Sequence, residues 1–270
     1  MYENALQESV DLALAPLRDN AANCALFFDI DGTLAPIVER IDDARVPDAA
    51  SKLLGQLAKR YALVACVSGR TAAEARRLVG VGAVTYAGSH GAEILRPGAQ
   101  SAEVEPQLNA WRERVRAFAR ANDTYELRKQ QVRIEDKGFI SAFHWRGADD
   151  EDTAGAAVKA LAERAAAEGF AVHWGRKVLE VRPPVEFHKG AAVRQLALEV
   201  AATGTLYVGD DATDADAFAA LRELRAGGQL KHAVCIGVLS DECPAAIREG
   251  ADQTVAGPQD LVALLQSLLR

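Results

Sequence analysis

Residues 24–33 read Cys-Ala-Leu-Phe-Phe-Asp-Ile-Asp-Gly-Thr, and the fold is decided there. The run from Cys24 to Ile30, apolar but for an acid near its end, suits a buried strand of a parallel sheet. Two carboxylates, Asp29 and Asp31, leave its carboxyl end, and Gly32 lets the backbone turn sharply after them. In open parallel sheets, ligands gather at that end. Outward from this stretch the rhythm repeats. Pro47 to Tyr61 places Ala50, Leu53, Leu54, Leu57 and Ala58 on one helical face. Tyr61 to Val67 (YALVACV) is a second buried strand, Thr71 to Val79 a helix starting on a Thr cap, and Val84 to Ala87 a third strand. Strand, helix, strand, helix, strand predicts right-handed crossovers and a parallel sheet with helices on both faces.

The rhythm then changes. Residues 104–122 read as a helix, and residues 124–146 as alternating strands (YELRKQQVRIEDKG, then FISAFHWRG) with a turn near Lys137-Gly138. An Ala-rich helix runs from Asp150 to Glu168 and closes on Gly169, followed by strand-like FAVHW and KVLEVRP. Strands meeting across hairpins, with two helices, predict an α+β insert with an antiparallel sheet. After Pro183-Pro184 the first rhythm returns, with a helix from Lys189, strand TLYVG at 205–209, a helix at 213–225, strand HAVCIGV and a last helix at 258–269. The expectation is an α/β core in residues 1–104 and 185–270, split by an α+β insert at 105–184.

The chain has 270 residues, 49% hydrophobic and 26% charged, which excludes disordered, collagen-like and disulfide-rich classes. Thirty-one Lys+Arg against 38 Asp+Glu give a net charge of -7, a field that repels nucleic-acid backbones. Any phosphate must be held by local cations or a metal. No apolar run is long enough to span a membrane, and the opening MYENALQESVDLALAPLRDN lacks the basic start and apolar stretch of a signal peptide. It reads as an amphipathic helix packed on the core. Cys24, Cys66, Cys235 and Cys243 form no CxxC pair and read as buried reduced thiols. A cytoplasmic location is expected.

Four strand ends or helix starts carry unusual polar residues. In Asp29-Ile30-Asp31-Gly32-Thr33, one carboxylate is placed to attack a phosphoryl group while its neighbour two positions on handles protons. Taken alone, the same residues also fit an Asx turn closing a strand. They do not form an EF-hand loop, because Thr33 and Arg40 stand where acids are needed. Ser68-Gly69-Arg70 offers a hydroxyl and exposed amides, or simply a capped helix start. It is no nucleophile elbow, since Cys66 stands where a Gly is required. Lys189 opens a helix, where one ammonium neutralises a phosphoryl oxygen and an attacking carboxylate. The chain contains no GxxxxGK[ST], so a P-loop reading fails. Gly209-Asp210-Asp211-Ala212-Thr213-Asp214 gathers three carboxylates that repel one another and need a cation; hard oxygen donors with room for water favour Mg²⁺. Thr213 or Asp214 also suits a helix N-cap.

In this order, the set resembles the haloacid dehalogenase-like phosphotransferase superfamily, with its motifs as DIDGT, the Ser after strand two, an isolated Lys and GDDATD. The resemblance implies a Rossmann-like core with an inserted α+β cap. It implies Asp29 as nucleophile, Asp31 as general acid/base, and Ser68, Gly69 and Lys189 as phosphoryl-binding. It also implies Mg²⁺ on Asp29, the Asp31 backbone carbonyl and Asp210, with Asp214 supporting the metal.

Within that superfamily the chain resembles the trehalose-6-phosphate phosphatases. The matching segments are Asp31-Gly32-Thr33-Leu34, Ser68-Gly69-Arg70 and Ala87-Gly88-Ser89-His90-Gly91-Ala92-Glu93 in the core, with Lys189 and Asp210 to Asp214. The insert contributes Glu135-Asp136-Lys137-Gly138, His144-Trp145-Arg146 and Glu180-Val181-Arg182-Pro183. By this resemblance Glu135, Lys137, Glu180 and Arg146 contact sugar hydroxyls and Arg70 contacts substrate. Read without it, the insert residues equally suit cross-strand ion pairs on a solvated sheet face. His90 reads as a satisfied structural histidine first, and second as a residue that shapes the core loop near the site. Ala215 departs from the pattern, standing where many members carry an acid.

The implied activity is Mg²⁺-dependent hydrolysis of trehalose 6-phosphate through an aspartyl-phosphate. The rivals are a phosphatase of another sugar or glycosyl phosphate, and a non-catalytic regulatory partner of a trehalose-phosphate synthase. A mutase would need a bisphosphate-binding cap, and the insert is not notably basic.

Overall fold

A computed structural model describes residues 2–38, 43–185, 187–240 and 243–270; Arg40 lies outside the described residues. Two compact units divide the chain, residues 1–103 with 187–270, and residues 104–186.

The first half of the core opens with helix α1 (Tyr2–Asp19), which buries Val10, Leu14 and Leu17. Then come β1 (Cys24–Phe28), α2 (Asp48–Leu57), β2 (Leu63–Val67), α3 (Ala72–Val79), β3 (Thr85–Gly88), β4 (Glu93–Leu95) and β5 (Glu103–Val104). The Thr71 hydroxyl accepts from the Glu74 N–H while the Glu74 carboxylate accepts from the Thr71 N–H, so a reciprocal capping box starts α3.

The insert consists of α4 (Pro106–Asn122), α5 (Tyr125–Lys129), β6 (Arg133–Asp136), β7 (Ser141–His144), α6 (Glu151–Ala167), β8 (Ala171–Gly175) and β9 (Val178–Arg182). One local expectation fails here. The segment after Thr124 starts as helix α5 rather than strand, because the Thr124 hydroxyl accepts from the Leu127 N–H and caps a turn that buries Leu127. Strand begins only at Arg133. The insert strands run antiparallel in the order β6-β7-β9-β8. Alternation sends Ile134, Phe143, Leu179, Val181 and Val172 to a core shared with Val115, Val158 and Leu161 of α4 and α6. The other face carries charge.

The chain re-enters the core with α7 (Lys189–Glu199), β10 (Gly204–Gly209), α8 (Asp214–Ala226), β11 (His232–Val238), α9 (Ala245–Gly250), β12 (Gln253–Val255) and α10 (Pro258–Ser267). Among the described residues, the core sheet has the order β12-β11-β10-β1-β2-β3-β4-β5, parallel from β12 to β3 and reversing at β4. β1 lies at its middle and is buried throughout. Period-two alternation divides its five residues between the sheet's faces. Cys24, Leu26 and Phe28 join the layer of α1, α2 and α10, while Ala25 and Phe27 join that of α7 and α8. Burying one such Phe contributes roughly 1.5–3 kcal/mol. All four cysteines are buried and unpaired with one another. Among the described residues, no helix is long and apolar enough to cross a membrane.

Candidate active site

The carboxyl ends of β1 and β10 are adjacent in the sheet, so the residues leaving them meet. The Asp29 N–H donates to Val208 O at 2.9 Å, which carries the pairing one residue past β1. Gly32 has φ +91, and a Cβ there would lie 2.0 Å from Asp210 Oδ2, so only glycine lets the two strand ends approach this closely. The Thr33 hydroxyl donates to Asp210 Oδ1 at 2.8 Å and fixes that carboxylate.

Among the described residues, Asp29, Asp210 and Asp214 bring carboxylate oxygens within 4.8 Å of one another. All three are buried. Lys189, 2% exposed, reaches in from the first turn of α7, its Nζ 2.7 Å from both Asp29 Oδ1 and Asp214 Oδ1 and 3.8 Å from Asp211 Oδ1. Burial disfavours the ammonium, yet Asp29, Asp214 and Asp211 outweigh it and hold Lys189 protonated well above the usual lysine range. Burial pushes Asp29 well up against the opposing pull of Lys189, and takes Asp210 up to about 6. Asp214 also rises by burial.

Asp214 is fully committed to holding this cluster. Its Oδ1 accepts from Lys189 and from the Tyr207 hydroxyl at 2.6 Å, and its Oδ2 from the Asp210 and Asp211 N–H groups. The cap of α8 differs from expectation. Thr213 sits at the N-cap position, but its side chain makes no cap bond; Asp211 Oδ1 instead accepts from the Thr213 N–H at 2.8 Å and from the Thr213 hydroxyl. Burial works against ionising Asp211, but Lys189, Thr213 and His90 outweigh it and hold it below the usual carboxylate range. Among the described residues, Asp29 and Asp210 each have one oxygen in a hydrogen bond. Two buried carboxylates with remaining oxygen donors, steadied by a third, fit a hard cation that accepts oxygen ligands.

Asp31 stands apart from the cluster. Its carboxylate takes a two-point grip from Arg70, with Nε 2.7 Å from Oδ2 and an NH2 2.6 Å from Oδ1. Ser68 is buried and its Oγ accepts from the Arg70 N–H at 3.1 Å. In the insert, Glu135, Ala142 and Glu180 are direct cross-strand partners, which sets both glutamates on one face. Lys137 Nζ lies 3.2 Å from Glu180 and 3.8 Å from Glu135, His144 Nε2 pairs with Glu135 at 2.9 Å, and Arg182 grips Glu180. Glu180 is pushed up by burial, but Arg182 and Lys137 hold it below the usual range; His144 does the same for Glu135. Arg146 is not part of this network, since its guanidinium donates to Arg176 O.

Sequence reasoning missed Tyr207 and carried Thr33 and Glu93 only as motif positions without a role. The last is buried and accepts from the Ala72 N–H at 2.7 Å, linking β4 to the start of α3. The spacing Asp210-Thr213-Asp214 hinted at local capping, but nothing in sequence aims Tyr207 at Asp214.

The trehalose-phosphatase family model matches residues 27–245. This chain belongs to that family. The family is one of phosphatase enzymes, and the haloacid dehalogenase-like parallel-sheet core expected from the motifs is the fold observed. The probable trehalose-phosphate phosphatase G of Arabidopsis thaliana is 30% identical over 269 residues, spanning 91% of this chain and 68% of its own length. The trehalose-phosphate phosphatase of Mycobacterium avium is 35% identical over 203 residues, 73% of this chain and 51% of its own. The chain thus spans about half to two thirds of these relatives. The solved trehalose-6-phosphate phosphatase of Aspergillus fumigatus is 25% identical with a TM-score of 0.67, covering 96% of both chains.

Proposed function

We propose that the chain is a cytoplasmic, Mg²⁺-dependent phosphatase that hydrolyses trehalose 6-phosphate to trehalose and phosphate. Family membership supports the substrate class. The observation that carries the chemistry is the Lys189 ammonium bridging Asp29 and Asp214 inside a buried acidic cluster at the carboxyl end of the central strand. A phosphoryl dianion needs cations here, and the fold supplies one.

In this reading a carboxylate oxygen of Asp29 attacks phosphorus, and the bond from phosphorus to the sugar 6-oxygen breaks while Asp31 gives that oxygen its proton. Asp31 then takes a proton from water, whose oxygen bonds phosphorus as the bond to Asp29 breaks. Ser68, the Gly69 amide and Lys189 hold the phosphoryl oxygens. Asp29, Asp210 and the Asp31 backbone carbonyl would hold Mg²⁺, with Asp214 steadying the set; the ion supplies positive charge that screens phosphate from the attacking carboxylate. Positioning and charge neutralisation supply most of the rate. The insert acts as the substrate-reading cap, Glu135, Lys137 and Glu180 recognising sugar hydroxyls through ionised groups, with Arg146 an outlying contact. A binding-only partner of a trehalose-phosphate synthase has no need of Asp29, Lys189 and Asp210 arranged in this way.

The test is phosphate release from a panel of sugar phosphates with Mg²⁺ and with a chelator. Metal-dependent preference for trehalose 6-phosphate, lost on the order of a thousandfold or more in Asp29→Asn, is the expected result. Preference for another sugar phosphate would discard the substrate assignment, and an active Asp29→Asn would remove Asp29 as nucleophile.

A further inference from the structure

Two consecutive residues beside the site, Ser89 and His90, have left-handed backbones, with φ 50 and φ 58. A non-glycine residue in this region is uncommon, two in succession more so, and such conformations persist only where their surroundings over-determine them. The surroundings here are the Ser68-Gly69-Arg70 loop. The Ser89 N–H donates to Arg70 O at 2.7 Å and the His90 N–H to Ser68 O at 3.0 Å, so the strained pair grips the carbonyls on either side of Gly69. The His90 ring completes the grip. A Cβ on Gly69 would lie 2.9 Å from both Cε1 and Nε2 of His90, so the imidazole rests directly against that glycine.

The strap is itself anchored. Ser68 N–H donates to Ala87 O at 2.9 Å, a Cβ on Gly88 would strike the Ala72 backbone nitrogen at 2.1 Å, and a Cβ on Gly91 would meet His188 O at 3.0 Å. Beyond the loop, the Arg70 side chain makes its two-point contact with Asp31. A continuous mechanical path therefore runs from His90, through the loop, to the carboxylate assigned to proton transfer.

We infer that His90 is a positioning residue for this reaction: its ring and left-handed backbone set the Ser68-Gly69-Arg70 loop and, through Arg70, the Asp31 carboxylate. The inference rests on the phosphatase reading above.

The test separates positioning from folding by varying the leaving group. An alkyl sugar oxygen needs a proton as it departs, whereas nitrophenolate does not. His90→Gly keeps the left-handed backbone accessible and removes the ring; His90→Asn keeps a residue that tolerates this backbone. In both variants, kcat for trehalose 6-phosphate is expected to fall about tenfold or more, while single-turnover release of nitrophenol from p-nitrophenyl phosphate falls far less. Equal losses on both substrates would show that the effect does not run through Asp31 and would overturn the inference, as would unchanged kcat in both His90 variants. Wild-type protein that turns over neither substrate would sink the phosphatase reading, and this inference with it.

Discussion

Two lysines, each between two carboxylates, behave in opposite ways. In the core, Lys189 is 2% exposed and 2.7 Å from both Asp29 and Asp214. In the insert, Lys137 is 28% exposed and 3.2 Å and 3.8 Å from Glu180 and Glu135. Water screens the second set and is excluded from the first. The core cluster therefore raises the pKa of Asp29, Asp210 and Asp214, where burial dominates, while the insert network lowers those of Glu135 and Glu180, where the cationic partners dominate. The same residue types make a buried cluster in one region and a partly exposed ion-pair network in the other.

The sharpest break of this contrast is Lys189→Met. Removing the one ammonium leaves buried carboxylates facing each other, so a stability loss of about 3–5 kcal/mol is expected in denaturant titration, together with loss of turnover. Stability equal to the parent would mean that the cluster does not depend on Lys189. Lys137→Met should cost no more than about 1 kcal/mol and should raise KM for the sugar phosphate more than it lowers kcat. A kcat loss comparable to that of Lys189→Met would erase the distinction between the two regions.

Acid gives the smallest effect. Because Glu135 and Glu180 have lowered folded values, their contribution is fully present above the unfolded glutamate range and is lost as pH falls through the folded values. Trp111, Trp145 and Trp174, the chain's three tryptophans, all lie in the insert, so tryptophan fluorescence follows this unit alone. Unfolding monitored this way should become easier below about pH 4, with little change between pH 6 and 8. A midpoint insensitive to acid would show that the insert's ion pairs do not stabilise it.

Much of the core was legible because a buried parallel strand has a plain signature. Cys24 to Phe28 has no polar residue, and the acids that follow it must leave the sheet at its ligand-binding end. The insert was less legible. Its segment at 125–129 carries the polar, mixed composition of an exposed strand, and only the Thr124 cap and the burial of Leu127 make it helical. Glu135 and Glu180 were found as motifs, yet their side-by-side placement depends on a register that passes through Ala142.

Sequence by itself determined which strand ends carry polar residues and the order in which the chain supplies them, because apolar periodicity and turn residues are local properties. Tertiary structure alone decided which of the carboxylates cluster. Asp29, Asp210 and Asp214 converge, with Lys189 bridging Asp29 and Asp214, while Asp31 turns to Arg70. Tyr207, Thr33, Gly32 and the His90 strap belong to the same class of decision. Their roles come from distances across neighbouring strands and loops, which close packing fixes and chain order does not encode.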